Sequence, residues 1–142
     1  MNILHVLSQS EVTGAEVYAA TLADRQVALG DSVFLVSDTL AVPVAASYTS
    51  LPIGRRSYPN RWRNVRSLSS LITRHRIDVV HAHSRAASWV SFFACKGSPA
   101  VLVSTVHGRQ HLHLSIRLFN VYSNHVIAIS ESIKEQLVNK MG

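Results

Sequence analysis

Eight histidines and a dense run of arginines are the residues of this 142-residue chain best suited to chemistry. His81 and His83 stand two apart in an apolar segment. On a strand they would point to the same face, a spacing compatible with metal chelation. No cysteine or carboxylate adjoins the pair except Asp78, on the strand's leading side. Metal binding is therefore the weaker reading. We expect His81 to be buried with a hydrogen-bond partner and His83 to lie at the strand's mouth. His111 and His113 repeat the spacing. His107 differs, because it ends an apolar run and is followed by Gly108 and Arg109. A neutral imidazole there can hydrogen-bond a sugar hydroxyl or a phosphate oxygen, Gly108 lets the chain turn, and Arg109 adds a fixed positive charge.

Arg55, Arg56, Arg61, Arg63 and Arg66 form the densest basic run. On a helix, Arg63, Arg66 and Arg74 would share a face opposite Leu68, Leu71 and Ile72. A solvated helix face is the ordinary outcome; the functional reading is a basic patch for anionic acceptors or lipid headgroups. Tyr58 and Trp62, interleaved with the arginines, would suit stacking on bases. Gly14 opens a helix directly after the first apolar run, where backbone N–H groups can approach an anion at the positive end of the helix dipole. Neither G-x-G-x-x-G nor G-x-x-x-x-G-K-[ST] occurs, so dinucleotide and P-loop readings lose their support. Nucleophilic catalysis has little to work with. There is no G-x-S-x-G, and Cys95 falls in a predicted helix among Phe92, Phe93 and Ala94, where a buried, inert thiol is expected. Trp89, Phe92 and Phe93 read as core.

The elements that would position these residues alternate regularly. Residues 3–7, 33–37, 77–83, 100–107 and 125–129 are short apolar runs typical of strands covered on both faces, and a further short strand is expected near 50–53. Thr13 to Glu16 has capping-box spacing, and the helix after it would gather Ala15, Tyr18, Ala19, Leu22 and Leu29 into one stripe before Gly30 stops it. Helices are also predicted over 60–76, over 85–96 behind a Ser84 cap, over 112–122, and from 131 to 142. Strands alternating with helices imply right-handed βαβ units and a parallel sheet, so we predict one doubly wound α/β domain, Rossmann-like, with helices flanking the sheet. Ligands of such sheets bind outside the carboxyl ends of the strands. Five segments meet that edge: 8–16, 38–42, 83–85, 107–113 and 130–131.

Composition bounds this picture. Hydrophobic residues are 47%, charged residues only 15% against a typical ~25%, and the formal net charge is 14 − 8 = +6. A heavily buried sheet fits; a disordered tail protein does not. The single cysteine excludes an internal disulfide framework and a cysteine-based zinc finger, and suits a reducing compartment. The first residues have no basic n-region, and no segment reaches the ~20 apolar residues of a spanning helix. A cytoplasmic location is expected, free or peripheral on the cytoplasmic membrane face. The basic excess suits anionic partners in general.

Read in order, Asn2–Leu7, Thr13-Gly14-Ala15-Glu16, Asp78-Val79-Val80-His81-Ala82-His83-Ser84, Thr105-Val106-His107-Gly108 and Val126-Ile127-Ala128-Ile129-Ser130-Glu131-Ser132 resemble the N-terminal domain of glycosyltransferase family 4. These are retaining enzymes of the GT-B fold, and the resemblance covers nearly the whole chain. It implies a nucleotide-sugar-dependent transferase in which two Rossmann-like domains face a cleft, the N-terminal one holding mainly the acceptor. On that basis residues 1–142 would be one acceptor-side domain, and the N-terminal half of the GT-B fold. The loop Thr13, Gly14, Ala15, Glu16 would approach the donor phosphates. His107 would be the catalytic histidine beside the transferred sugar. His83, Ser84, Arg85, Arg109, Ser130 and Glu131 would line the acceptor side, with the arginine positions suited to an anionic acceptor such as a phosphorylated lipid or lipopolysaccharide core.

Two departures bear on those expectations. Thr13 stands where many relatives have the first of two glycines. The Lys/Arg pair and E-x-x-x-x-x-x-x-E segment that the resemblance would lead one to expect in a donor-binding domain are absent from this sequence, which ends at Gly142. Such transferases stabilise the leaving nucleoside diphosphate by fixed positive charges and dipoles, so the resemblance implies a shortened form or fragment that is inactive alone. The partners it implies are a nucleotide sugar as co-substrate, a glycan or glycolipid acceptor from lipopolysaccharide or other cell-surface glycan synthesis, and the missing domain. No metal, other cofactor or nucleic acid is expected. The alternative from another class is a stand-alone anionic-glycan-binding module, or a subunit that pairs with a separate donor-binding chain.

Overall fold

The apolar segments at the centre of the sheet become strands because helices cover them, while β3 (Ser47–Ser50) and β6 (His125–Ala128) form exposed edges. A computed structural model describes residues 1–8, 14–55, 57–107 and 125–141. In chain order the elements are β1 (Asn2–Val6), α1 (Gly14–Ala28), β2 (Ser32–Ser37), β3 (Ser47–Ser50), α2 (Tyr58–Arg74), β4 (Val79–Ala82), α3 (Arg85–Ala94), β5 (Val101–Val106), β6 (His125–Ala128) and α4 (Glu131–Met141). All strand pairs are parallel, in the order β3-β2-β1-β4-β5-β6. The predicted α/β doubly wound, Rossmann-like domain is the one observed. The expected strand near 50–53 forms earlier, at Ser47–Ser50, because Pro52 has no N–H to give a ladder. The helix expected over 112–122 lies outside the described residues.

The sheet separates two cores by simple alternation. Leu4 and Val6 of β1, with Val80 and Ala82 of β4, pack under α2 and α3 against Val65, Leu68, Ile72, Ala87 and Val90. The opposite face carries α1, which buries Ala15, Ala19, Ala20 and Ala23. These small side chains let the helix lie close over β1 and β2, where Ala19 and Ala23 meet Leu7, Val33 and Leu35. The predicted stripe on α1 ends early: Leu29 is 83% exposed. It falls beyond the last helical turn, where Gly30 at φ +95° reverses the chain.

Ser84 caps α3 as predicted, its hydroxyl accepting from Ala87 N–H at 3.1 Å. At the far end of the sheet, Asn2 ties β1 to the turn before β4. Its N–H donates to Asp78 Oδ2 at 2.8 Å and its side-chain amide to the carbonyls of His75 and Arg76. Arg76 adopts a left-handed φ of 49°, and these bonds hold its carbonyl.

Candidate functional site

The strand order reverses direction between β1 and β4, and a parallel sheet opens a crevice beyond the carboxyl ends of the strands at such a point. Period-two alternation sends His5 of β1, His81 and His83 at the end of β4, and Thr105 and His107 at the end of β5 to the α1 face. His5 and His81 are direct partners in the β1–β4 ladder. The result is a packed column of imidazoles, with ring centroids 5.2 Å apart for His5–His83 and 4.1 Å for His81–His83.

Hydrogen bonds give the column a direction. Gln26 Oε1 of α1 lies 2.6 Å from His5 Nε2, which therefore donates. His5 Nδ1 is then the acceptor and takes a proton from His83 Nε2 at 2.9 Å. His83 Nδ1 in turn faces His107 Nε2 at 3.5 Å, a stretched contact. With Gln26 Oε1 as the acceptor that starts the column, this assignment puts the His107 lone pair on Nδ1. His81 bonds separately to Thr105 Oγ1 at 2.6 Å. Tyr18 of α1 closes the outer side, its ring edge-on to His83 and His107 at 5.8 and 5.1 Å.

Burial keeps these imidazoles neutral. Desolvation lowers His5, lowers His81 to about 3 with help from neighbouring histidine charge, and holds His83 well below the usual histidine range. His107, half-buried at the mouth, is lowered by the same cause. His5, His81 and His83 each offer a nitrogen within 4.8 Å of the others, a grouping that a metal ion could bridge. Both nitrogens of His5 and of His83 are already hydrogen-bonded, however, and the column accounts for them without an ion.

The other side of the crevice is built differently. Ser8, just past β1, contacts Ser84 through their hydroxyls at 2.5 Å. Beyond this seam a cavity of about 610 Å³ lies between the end of the sheet, α2 and α3. Ser8, Gly54, Arg55, Tyr58, Arg61, Arg85 and Trp89 are among its walls. Consecutive residues thus divide the labour: His83 enters the column, Ser84 forms the seam and Arg85 faces the cavity.

Residues 12–142 match glycosyltransferase family 4. The chain belongs to that family. No curated protein sequence matches it. Among solved structures, a glycosyltransferase from Rickettsia africae superposes with a TM-score of 0.83 at 22% identity, over 96% of this chain and 38% of that one. The lipopolysaccharide outer core galactosyltransferase WaaB gives 0.67 at 17% identity, over 98% of this chain and 42% of that one. UDP-GlcNAc 2-epimerase from Methanocaldococcus jannaschii gives 0.62 at 13%, over 99% and 43%. At these identities the likeness is one of fold. It places this family 4 chain on the N-terminal half of the GT-B architecture and shows that it spans about two fifths of the chains it matches.

Within the family 4 domain, the expected site residues fall into three groups. His83 and His107 come together in the column; Ser84 and Arg85 meet at the seam and cavity. His83 is not open at the strand's mouth as expected but 2% exposed, covered by His5, His81 and the Tyr18 edge. Gly14 begins α1, Ala15 is buried beneath it, and Glu16, also buried, accepts the Ala41 N–H at 2.9 Å. Ser130 Oγ caps α4 through Ile133 N–H at 3.3 Å, and Glu131 pairs with Lys134 at 3.0 Å on an exposed surface. Both stand beyond β6, at the edge of the sheet and two strands from the crossing point. Thr13 and Arg109 lie outside the described residues.

Sequence reading missed His5, Gln26 and Tyr18 as site residues. His5 did carry a signal, since it sits two residues from Ile3 on a strand face. Its pairing with His81 depends on β1 lying beside β4, which no local pattern states. Trp89, read as core, packs against the main core and is also a cavity wall. Arg55 and Arg61, read as part of a surface run, are exposed and half-buried and also line that cavity.

Proposed function

We propose that this chain is the acceptor-side half of a retaining, nucleotide-sugar-dependent glycosyltransferase of the hexosyltransferase type. It works in the cytoplasm, or peripherally on the cytoplasmic membrane face, in cell-surface glycan synthesis. Membership of family 4 together with the neutral histidine column ending at the crevice is the observation that carries this reading. No helix among the described residues is long and apolar enough to cross a membrane.

The arrangement suggests specific roles. A donor held by a second, C-terminal domain would bring its sugar to the mouth of the column. With the column's protons assigned from Gln26 Oε1 outward, His107 directs Nε2–H at His83 and its Nδ1 lone pair would accept from a sugar hydroxyl. Phosphate contact would fall instead to backbone N–H groups at the start of α1, around Gly14. Leaving-group stabilisation belongs to the facing domain, and no metal is required of these residues. The 142-residue chain alone should therefore show no turnover.

The test uses the two-domain protein, with the coding sequence downstream of Gly142 read first. Release of nucleoside diphosphate from a panel of nucleotide sugars is measured with and without a glycan acceptor extract. His107→Ala should lower the rate roughly a hundredfold or more while the unfolding midpoint moves little. Equal loss of activity and stability would assign His107 a structural role. Sustained transfer by the 142-residue chain alone would remove the half-site reading. A reading frame ending at Gly142, with glycan binding and no transfer, would favour the stand-alone binding module.

A further inference from the structure

Between Gln26 and His107 every link is an imidazole, and a neutral imidazole holds one proton that either ring nitrogen can carry. The contacts run from Gln26 to His5 at 2.6 Å, His5 to His83 at 2.9 Å and His83 to His107 at 3.5 Å. No ring in that series fixes its direction alone, because two orders satisfy the same atoms. In one, each ring donates from Nε2 toward Gln26. In the other, the Gln26 amide donates to His5 Nε2, and each ring donates from Nδ1 away from it. Only the inner end distinguishes them.

The neighbours of the column are neutral on this point. His81 packs against His5 and His83 but bonds to the Thr105 hydroxyl, which can donate or accept. Tyr18 meets His83 and His107 with its ring edge. Desolvation lowers His5, His83 and His107, so at pH 8 no ring takes the second proton that would break the order.

The helix places Gln26 for this task. Ala19, Ala23 and Gln26 stand at i, i+4 and i+7 on one face of α1, and both alanines are buried against the sheet. Gln26 is the polar member of a stripe whose small side chains bring α1 close to β1. Its own carbonyl accepts the N–H groups of Leu29 at 3.2 Å and Asp31 at 3.1 Å, which ends the helix at this residue. The side-chain amide carries an oxygen and an NH2 group side by side, and the oxygen faces His5.

We propose that Gln26 is the positioning residue that sets the direction of the column, and thereby whether His107, three contacts away, presents a lone pair or a proton at the crevice. An acceptor at position 26 makes His107 an acceptor for a hydroxyl; a donor there reverses every ring and makes His107 a donor. The bearing on sugar transfer rests on the transferase reading; the ordering of the rings does not.

Histidine-selective 15N NMR of the 142-residue chain at pH 8 reads the three tautomers. Gln26→Glu offers only acceptor oxygens and should keep the proton on Nε2 of His5, His83 and His107. Gln26→Lys offers only N–H groups and should move it to Nδ1 in all three, as should Gln26→Arg. A histidine side chain free in water favours Nε2–H, so a proton on Nδ1 of His107 reports an imposed order and not mere release. Added to His5→Leu, Gln26→Lys should leave His107 as it is in His5→Leu alone, because a link is missing. In the two-domain protein, Gln26→Lys should lower kcat roughly tenfold or more with KM little changed, and Gln26→Glu should recover most of the rate.

His5 unmoved in both donor variants, His5 reversed without His83 and His107, or a proton on Nδ1 of His107 in Gln26→Glu would overturn the role of Gln26. So would reversal of His107 by Gln26→Lys in the His5→Leu background, since the lysine would then act by its charge. Reversal without transfer by the two-domain protein would remove the transferase reading alone. Transfer with the tautomers unmoved would remove the role of Gln26 alone.

Discussion

The histidine column and the arginine cavity share the end of β4 through three consecutive residues, yet they place polar groups in opposite ways. In the column, polarity is buried, uncharged and matched internally: each ring nitrogen of His5 and His83 faces a nitrogen or oxygen of its neighbour. In the cavity, polarity is charged, lines open space and is oriented by aromatic rings. The first arrangement orients the His107 ring through uncharged neighbours; the second orients positive charge on aromatic rings at the edge of a cavity. The seam of Ser8 and Ser84 lets both exist at one strand end. A buried network is unforgiving, because a missing partner leaves a polar group without water. A solvated guanidinium can be removed at little structural cost.

Acid should separate the two regions most strongly. Burial depresses His5, His81 and His83 below the ordinary histidine value of 6.5. Below that pH the unfolded chain binds protons that the folded chain refuses, so stability is full above pH 6.5 and falls as pH drops below it. His81, lowered to about 3, should by itself remove about 1.4 kcal/mol between pH 7.5 and 5.5, and His5 and His83 add to the loss in the same direction. Urea unfolding at the two pH values measures this, and a flat midpoint would mean the column is not sealed. The arginines do not titrate there.

Removing one imidazole comes next. His5→Leu leaves Gln26 Oε1 and His83 Nε2 unpaired in the interior and should cost about 2–4 kcal/mol by urea unfolding. It should also flatten the acid response. A loss below about 1 kcal/mol would show that water replaces the ring and that the column is wetter than described.

Ser84→Ala tests the seam. It removes the α3 cap and the Ser8 contact together, for an expected loss of about 1 kcal/mol. The smallest effect belongs to the cavity: Arg61→Gln should change stability by less than about 0.5 kcal/mol. A loss as large as that of His5→Leu would make Arg61 a packing residue and erase the contrast.

Much of the fold was legible because covered strands and amphipathic helices leave strong periodic traces. Val65, Leu68 and Ile72 on α2, the Ser84 cap and the Gly30 stop follow from side-chain spacing and backbone preference alone. Leu29 misled because apolar identity does not say where a helix ends relative to its neighbours. The gathering of His83, Ser84, Arg85 and His107 at one edge was legible, because all four stand at or just past strand ends. The site was not legible at His5 or Gln26, whose roles require the β1–β4 pairing and the seat of α1. Nor could Arg61 be told from Arg63 or Arg66 by composition; only the rotation of α2 against α3 turns it toward Trp89.

The most direct test of the account is the protonation of the column itself, read by histidine-selective 15N NMR of the chain across pH 7.5 to 5.5. His5, His83 and His107 should be neutral with the proton on Nε2 at pH 7, and His5 and His83 should remain so at pH 5.5. A cationic His83 at pH 7, or a proton on Nδ1 of His107, would contradict it.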